Sequence, residues 1–228
     1  MTFSIAALCR RTGEVGCALA TSSTAAGARA PFVAPGRGAV LSQARSDPAL
    51  GFLGVKLLEA GRSAEETLAE MVASNSHSAW RQLAVVDQVG NVAHFTGSEP
   101  LASRGARVGD AAIAIGNALA NDDVVDAVLK GFGAAPDQRL ASRLLMALEY
   151  GERAGGETYP LRSAAIKVAR PNVPFPILDL RVDHSESPIA DLRRIWLEFD
   201  PMIEAYVTRA LDPQNSPAAA TIEGHPVP

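Results

Sequence analysis

Aromatic residues make up only 5% of this 228-residue chain, and lysine occurs just three times, at Lys56, Lys130 and Lys167. A core with so few rings has to be built from Ala, Val, Leu and Ile, and the hydrophobic share of 47% is globular, not disordered. No apolar run reaches the roughly twenty residues of a membrane span. The opening residues also lack the basic-then-apolar build of a signal peptide, so no leader and no membrane partner are expected, and the default location is the cytoplasm. The 21 basic residues, set against 25 acidic ones for a formal net charge of -4, form no block and have no interleaved aromatics, which argues against nucleic acid. Cys9 and Cys17 are the only cysteines. They are expected as buried reduced thiols, with a disulfide as the lesser alternative. His77, His94 and His184 stand apart without ligand spacing, so neither a metal centre nor a cofactor is expected.

What is present begins at the first residue. Two apolar runs of strand length, Thr2 to Cys9 and Val15 to Ala20, flank a polar turn that contains Gly13, which predicts a β-hairpin opening directly from the chain terminus. First residues are normally loose unless something ties them down. The residue at the head of this strand is Thr2, small enough to permit removal of Met1. Removal leaves a hydroxyl nucleophile and its own α-amine on one residue, an activated-nucleophile arrangement. Many chains begin Met-Thr with no chemistry attached, and a retained Met1 leaves Thr2 without a free amine.

Further along, Pro31 and Pro35 exclude helix, and Gly38 to Ala44 reads as a third strand. Asp47-Pro48 opens a helix that stops at Gly61, and Ser63 to Glu66 has capping-box spacing for a second. A second hairpin, Gln82 to Asp87 and Asn91 to Thr96, turns at Gly90-Asn91. The strand Ala111 to Ile115 runs into Gly116-Asn117. Helices follow from Asp122 to Gly131 and from Pro136 to before Gly155-Gly156. Strands from Ser163 to Val168 and from Pro176 to Val182 precede a helix capped by Ser187-Pro188. Residues 1–211 are expected as one domain and residues 212–228 as a Pro/Ala-rich loose tail. Hairpin-built strands alternating with helix pairs, and apolar on both faces, predict an α+β fold: a four-layer αββα sandwich of two antiparallel sheets.

The Thr2-headed hairpin, the Val86 to Asn91 hairpin and Ile113 to Asn117 before a helix resemble N-terminal-nucleophile (Ntn) hydrolases of the proteasome β-subunit kind. More closely, Thr2-Phe3-Ser4-Ile5, Gln43 to Pro48, Ala64-Glu65-Glu66, Gln82 to Asp87, Gly116-Asn117, Ser163-Ala164-Ala165 and Asp179 to Asp183 resemble the bacterial family catalogued as domain of unknown function 1028. That resemblance implies the Ntn-like sandwich and supplies no substrate. Arg162 and Asp47 depart from the glutamine and asparagine of the family's pattern, implying a more charged cleft. None of the three lysines falls on the third strand, where protease-type members place one, so proteasome-like peptide cleavage is disfavoured.

The candidate catalytic residues are Thr2 and Asn117. The candidate substrate-binding residues are Ser42, Gln43, Arg45, Gly116 and Arg162. Ser42 to Ala44 end a strand where backbone N–H groups can face an oxyanion or simply make a turn, and the Asn117 amide can do either as well. Asp179, Arg181 and Asp183 share one strand face, the pattern of a structural ion-pair network. Two functions compete. One is an amidohydrolase that cleaves a C–N bond of a small molecule through a threonyl ester. The other is a non-catalytic protein or oligomeric scaffold holding a carboxylate ligand with Arg29, Arg45 and Arg162. The expected partners are a small-molecule substrate and further copies of the chain.

Overall fold

Local sequence sets most of the elements in the computed structural model, which describes residues 1–100 and 103–225. The first hairpin, β1 (Thr2–Leu8) and β2 (Val15–Thr21), turns at Gly13, whose φ of 71° favours glycine. Strands β3 (Pro31–Ala34) and β4 (Gly38–Ala44) follow. In α1 (Pro48–Glu59) the Asp47 carboxylate accepts from the Ala49 N–H and proline fills the first helical position. In α2 (Ala64–Ala73) both bonds of the Ser63/Glu66 capping box are made. Strands β5 (Arg81–Asp87) and β6 (Val92–Thr96) form the second hairpin, and β7 (Gly105–Gly109) leads into β8 (Ala112–Asn117). Then come α3 (Asp123–Gly133), α4 (Leu140–Arg153), β9 (Ser163–Ala169), β10 (Leu178–Val182), α5 (Pro188–Phe199) and α6 (Ile203–Leu211). In the tail, Ala219–Ile222 makes one helical turn (α7), and residues 226–228 lie outside the described residues.

Four elements differ from the sequence expectation. Strand β3 forms despite its proline because Pro31 is the first residue of an edge strand, where no ladder N–H is needed. Strand β7 was not expected; it is a half-exposed edge bounded by two glycines, so its sequence carries no buried face. Helix α4 starts at Leu140 instead of Pro136, since Arg139 is extended and the preceding residues close a turn from Gln138 N–H to Ala135 O. Helix α6 extends the C-terminal helical segment beyond α5.

Two antiparallel sheets stack face to face. The larger has the order β10-β9-β2-β1-β8-β7 and the smaller β3-β4-β5-β6, so β1 lies centrally, between β2 and β8. Helices α3 and α4 cover the larger sheet over β1, β2 and β8, while α5 covers β9 and β10. Helices α1 and α2 cover the smaller sheet. This is the expected four-layer αββα sandwich.

Period-two alternation divides the core into layers. On β1, Phe3, Ile5 and Ala7 pack under the helices, whereas Ala6 and Leu8 enter the layer between the sheets. That inner layer is apolar at one end, where Leu8, Val15, Cys17, Ala39, Leu41, Val86 and Ile113 meet. Followed toward the other end, the inner rows finish in polar residues: Thr2 and Ser4 on β1, Gln43 on β4, Gln82 on β5, Asn117 on β8 and Thr21 on β2, all buried. Cys9 and Cys17 are free thiols in different layers, and burial pushes the Cys17 thiol up to about 12.

Candidate functional site

The polar row-ends are joined by a directional chain of hydrogen bonds. Ser4 Oγ donates to Gln43 Oε1 at 2.6 Å, and Gln43 Nε2 donates to Gln82 Oε1 at 2.8 Å. Asn117 Nδ2 donates to the same Gln82 oxygen at 3.0 Å. Gln82 Nε2 in turn donates to the Gly116 carbonyl at 2.9 Å and to Thr96 Oγ1 at 3.2 Å. A backbone carbonyl can only accept, so Gly116 fixes the orientation of Gln82, which then fixes both neighbouring amides. Asn117 is left with one N–H and its Oδ1 uncommitted to this chain. Its position opposite Thr2 follows from the β1–β8 register.

At the head of β1, Thr2 is 7% exposed. Its hydroxyl lies 3.5 Å from Thr21 Oγ1 and also contacts the Met1 carbonyl. Thr21 Oγ1 donates to that carbonyl at 2.7 Å, and the Met1 sulfur lies 3.7 Å from Ser22 Oγ. A cavity of about 170 Å³ opens here, lined by Met1, Ala44, Arg45, Trp80, Glu99, Pro100 and Asn117. The Arg45 guanidinium stacks 4.0 Å over the Trp80 ring.

The strand that delivers Gln43 ends in a left-handed alanine, Ala44 with φ 71°, and the strand that delivers Asn117 is followed directly by another, Ala118 with φ 52°. That conformation costs an L-residue about 1–2 kcal/mol. Strain of this kind concentrates where the surrounding structure holds a site in place.

Behind Met1 lies Glu157. The left-handed pair Gly155 and Gly156 turns the chain back after α4, and Glu157 bridges to Leu119, two residues beyond Asn117. Its Oε2 accepts from the Ser22 N–H at 3.0 Å, while its Oε1 is buried without a hydrogen-bond partner. Burial raises the Glu157 carboxyl above the ordinary carboxylate range, against the pull of its Ser22 bonds and the nearby terminal charge. Burial lowers the Met1 α-amine, opposed by the charge of Glu157.

The structure therefore brings Asn117, Arg45 and the end of β4 to one cavity with Met1, while Thr2 lies next to it, bonded to Met1 and paired with Asn117. Gln43 lies beneath it, inside the hydrogen-bond chain. Ser42 points to the opposite face of β4, where its hydroxyl donates to the Asp47 carbonyl at 2.9 Å. Gly116 faces the helix side, and an added Cβ there would meet Leu119 at 2.7 Å. Arg162 is exposed; its backbone N–H donates to Thr21 O at 2.8 Å, and its side chain is not among the lining groups. Arg29 donates to the carbonyls of Thr24 and Ala25. Asp47 caps α1 and pairs with Arg81 at 3.5 Å, which balances its charge away from the cavity. Asp179 pairs with Arg181 at 3.3 Å, as expected from their alternation, and with Lys167 of the neighbouring strand at 3.1 Å, while Asp183 makes no ion pair among the described residues.

Sequence reasoning assigned no role to Thr21, Trp80, Gln82 or Glu157. Gln82 was legible in principle, because it shares parity with Ala84 and Val86 on β5. Glu157 had no local signal; only the bridge to Leu119 places it.

The chain matches the model described as "Family of unknown function (DUF1028)" over residues 2–192. A crystal structure of a Silicibacter pomeroyi protein carrying the same family model is 34% identical, with a TM-score of 0.79 over 87% of this chain and 88% of that one. Anbu (ancestral beta-subunit) from Yersinia bercovieri aligns at 14% identity with a TM-score of 0.39, over 89% of this chain and 96% of that one. No curated protein matches the chain.

Proposed function

Because the chain belongs to the DUF1028 family, whose description supplies no reaction, its chemistry has to come from the site, and we propose an Ntn-type amidohydrolase that uses Thr2 to cleave a C–N bond of a small molecule. One observation carries the reading: Thr2 and Asn117 are register partners across the β1–β8 pair, beside a cavity that Met1 and Asn117 line. Once Met1 is removed, the Thr2 α-amine takes the proton from Oγ1 as that oxygen bonds to the acyl carbon. The carbonyl π electrons move onto oxygen, held by the free Asn117 N–H and by backbone donors near Gln43. Collapse breaks the C–N bond, and the leaving nitrogen takes the proton from the Thr2 ammonium. The α-amine then deprotonates a water, which attacks the threonyl ester and restores the Oγ1 hydroxyl. Arg45 and Trp80 form the wall for the acyl substituent. The working form in this proposal is a cytoplasmic homo-oligomer of a single domain, residues 1–211, with a tail over 212–228, needing neither metal nor cofactor.

The test is direct. Intact mass of protein from its own host should show a chain beginning at Thr2, and a β-lactone probe should acylate that chain at Thr2 but leave Thr2→Ala unmodified. A fully retained Met1 removes the amine base and with it this mechanism. The stacked Arg45–Trp80 pair favours the second reading in that case, a non-catalytic site for a small carboxylate ligand. Loss of carboxylate binding in Arg45→Ala would then identify it.

A further inference from the structure

Three features of Glu157 are not absorbed by the mechanism above. Its side chain is more than nine-tenths buried, one oxygen is occupied by the Ser22 N–H, and the other is buried with no partner among the described residues. A buried carboxylate oxygen without a donor is costly, so it marks a place where a donor is expected. The chain head supplies one. Ser22 and Thr21, the residues beside Glu157, are also those that touch the sulfur and carbonyl of Met1. The Met1 carbonyl carbon that Thr21 holds is bonded directly to the Thr2 nitrogen. Cleavage of that bond therefore releases the new amine beside the same two residues.

We infer that Glu157 is the positioning residue of the mature chain, accepting an N–H of the Thr2 α-amine on Oε1 and holding its lone pair toward Oγ1. This rests on the proposed Thr2 chemistry and adds a group to it. The geometry is a three-point seat: Thr21 at the hydroxyl, Ser22 on one carboxylate oxygen, and the amine on the other. The electrostatics agree, because the charges that act on the Met1 amine and the Glu157 carboxylate are each other's. Arg45 and Glu99 are the charged side chains that line the cavity together with Met1. A carboxylate beside an amine favours its protonated form, so Glu157 keeps the amine basic enough to take the Oγ1 proton even though burial works the other way.

The experiment reads the amine itself and does not depend on knowing a substrate. A fusion cleaved immediately before Thr2 yields the full chain with a defined threonine terminus. Reductive methylation with ¹³C-formaldehyde then gives a dimethylamine signal whose pH titration reports the amine pKa. Relative to wild type, Glu157→Gln should lower that pKa by about one unit, roughly a tenfold loss of proton affinity, and Glu157→Asp should restore part of it. An unchanged titration in Glu157→Gln, with the fold intact by circular dichroism, overturns the inference. Acylation of Thr2 by the β-lactone in an unmethylated portion of the same preparation separates the outcomes. If acylation persists while the titration does not move, the Thr2 nucleophile stands and Glu157 has no part in it. If the titration moves and acylation is absent, the seat exists and the hydrolase reading fails.

Discussion

The two ends of the layer between the sheets are built on the same strands and differ in what fills them. At one end Leu8, Val15, Leu41, Val86 and Ile113 interdigitate as an apolar core. At the other, the same rows finish in Ser4, Gln43, Gln82 and Asn117, no less buried, and Asn117 lines the cavity beside Met1. Apolar packing is non-directional and tolerates small shifts. A chain of amides anchored on the Gly116 carbonyl tolerates none without leaving a buried group unmatched. The apolar end holds the sheets together; the polar end fixes how Asn117 is presented to Thr2.

Substitutions at the two ends should therefore separate chemistry from stability. The largest effect expected is Thr2→Ala, which should abolish amide turnover while moving the melting temperature little, since it removes only the hydroxyl and a methyl at the layer's edge. At the opposite end, Ile113→Ala should cost about 2–5 kcal/mol in denaturant unfolding and leave the turnover of the folded fraction unchanged. Asn117→Ala should slow turnover on the order of a hundredfold, near 2.7 kcal/mol of barrier. Gln82→Ala should affect both quantities, costing about 1–3 kcal/mol in unfolding because Gln43 and Asn117 each lose an acceptor. A purely structural result there, with kcat per folded molecule intact, would break the link between the amide chain and the site.

The smallest effect is in pH. The Glu157 carboxyl is raised above its ordinary 4.5, so its stabilising contribution is fully present below that value and is lost as pH rises through the folded-state pKa. With Met1 in place, the melting temperature of wild type relative to Glu157→Gln should fall as pH is taken from about 4.5 toward neutrality. A flat difference would mean that Glu157 is solvated.

Much of this architecture was legible because it is local. Gly13, the Asp47-Pro48 start and the Ser63/Glu66 box each act within a few residues, and the structure shows each as expected. The edge strands β3 and β7 were not, since Pro31 and the flanking glycines of β7 speak against strand and only sheet pairing overrides them. At the candidate site, Thr2 and Asn117 were singled out from their places at strand ends, and the β1–β8 register sets them opposite one another. Ser42 and Gly116 were grouped with them by sequence adjacency, yet each sits one residue out of phase, on the helix-facing side. Reading the inner rows by parity separates Gln43 from Ser42 and adds Gln82. Glu157 depends on a contact between loops nearly forty residues apart, which no pattern within either loop announces.

The central place of β1 also sets a timetable. Its partner on one side, β2, is synthesised at once, but the register that closes the site pairs Thr2 with Asn117, more than a hundred residues later. At ribosomal rates of about 5–20 residues per second, that interval is on the order of ten seconds. Only when β8 arrives is Thr2 placed opposite Asn117, so the pair that the proposed chemistry needs is assembled late although its first residue is made early.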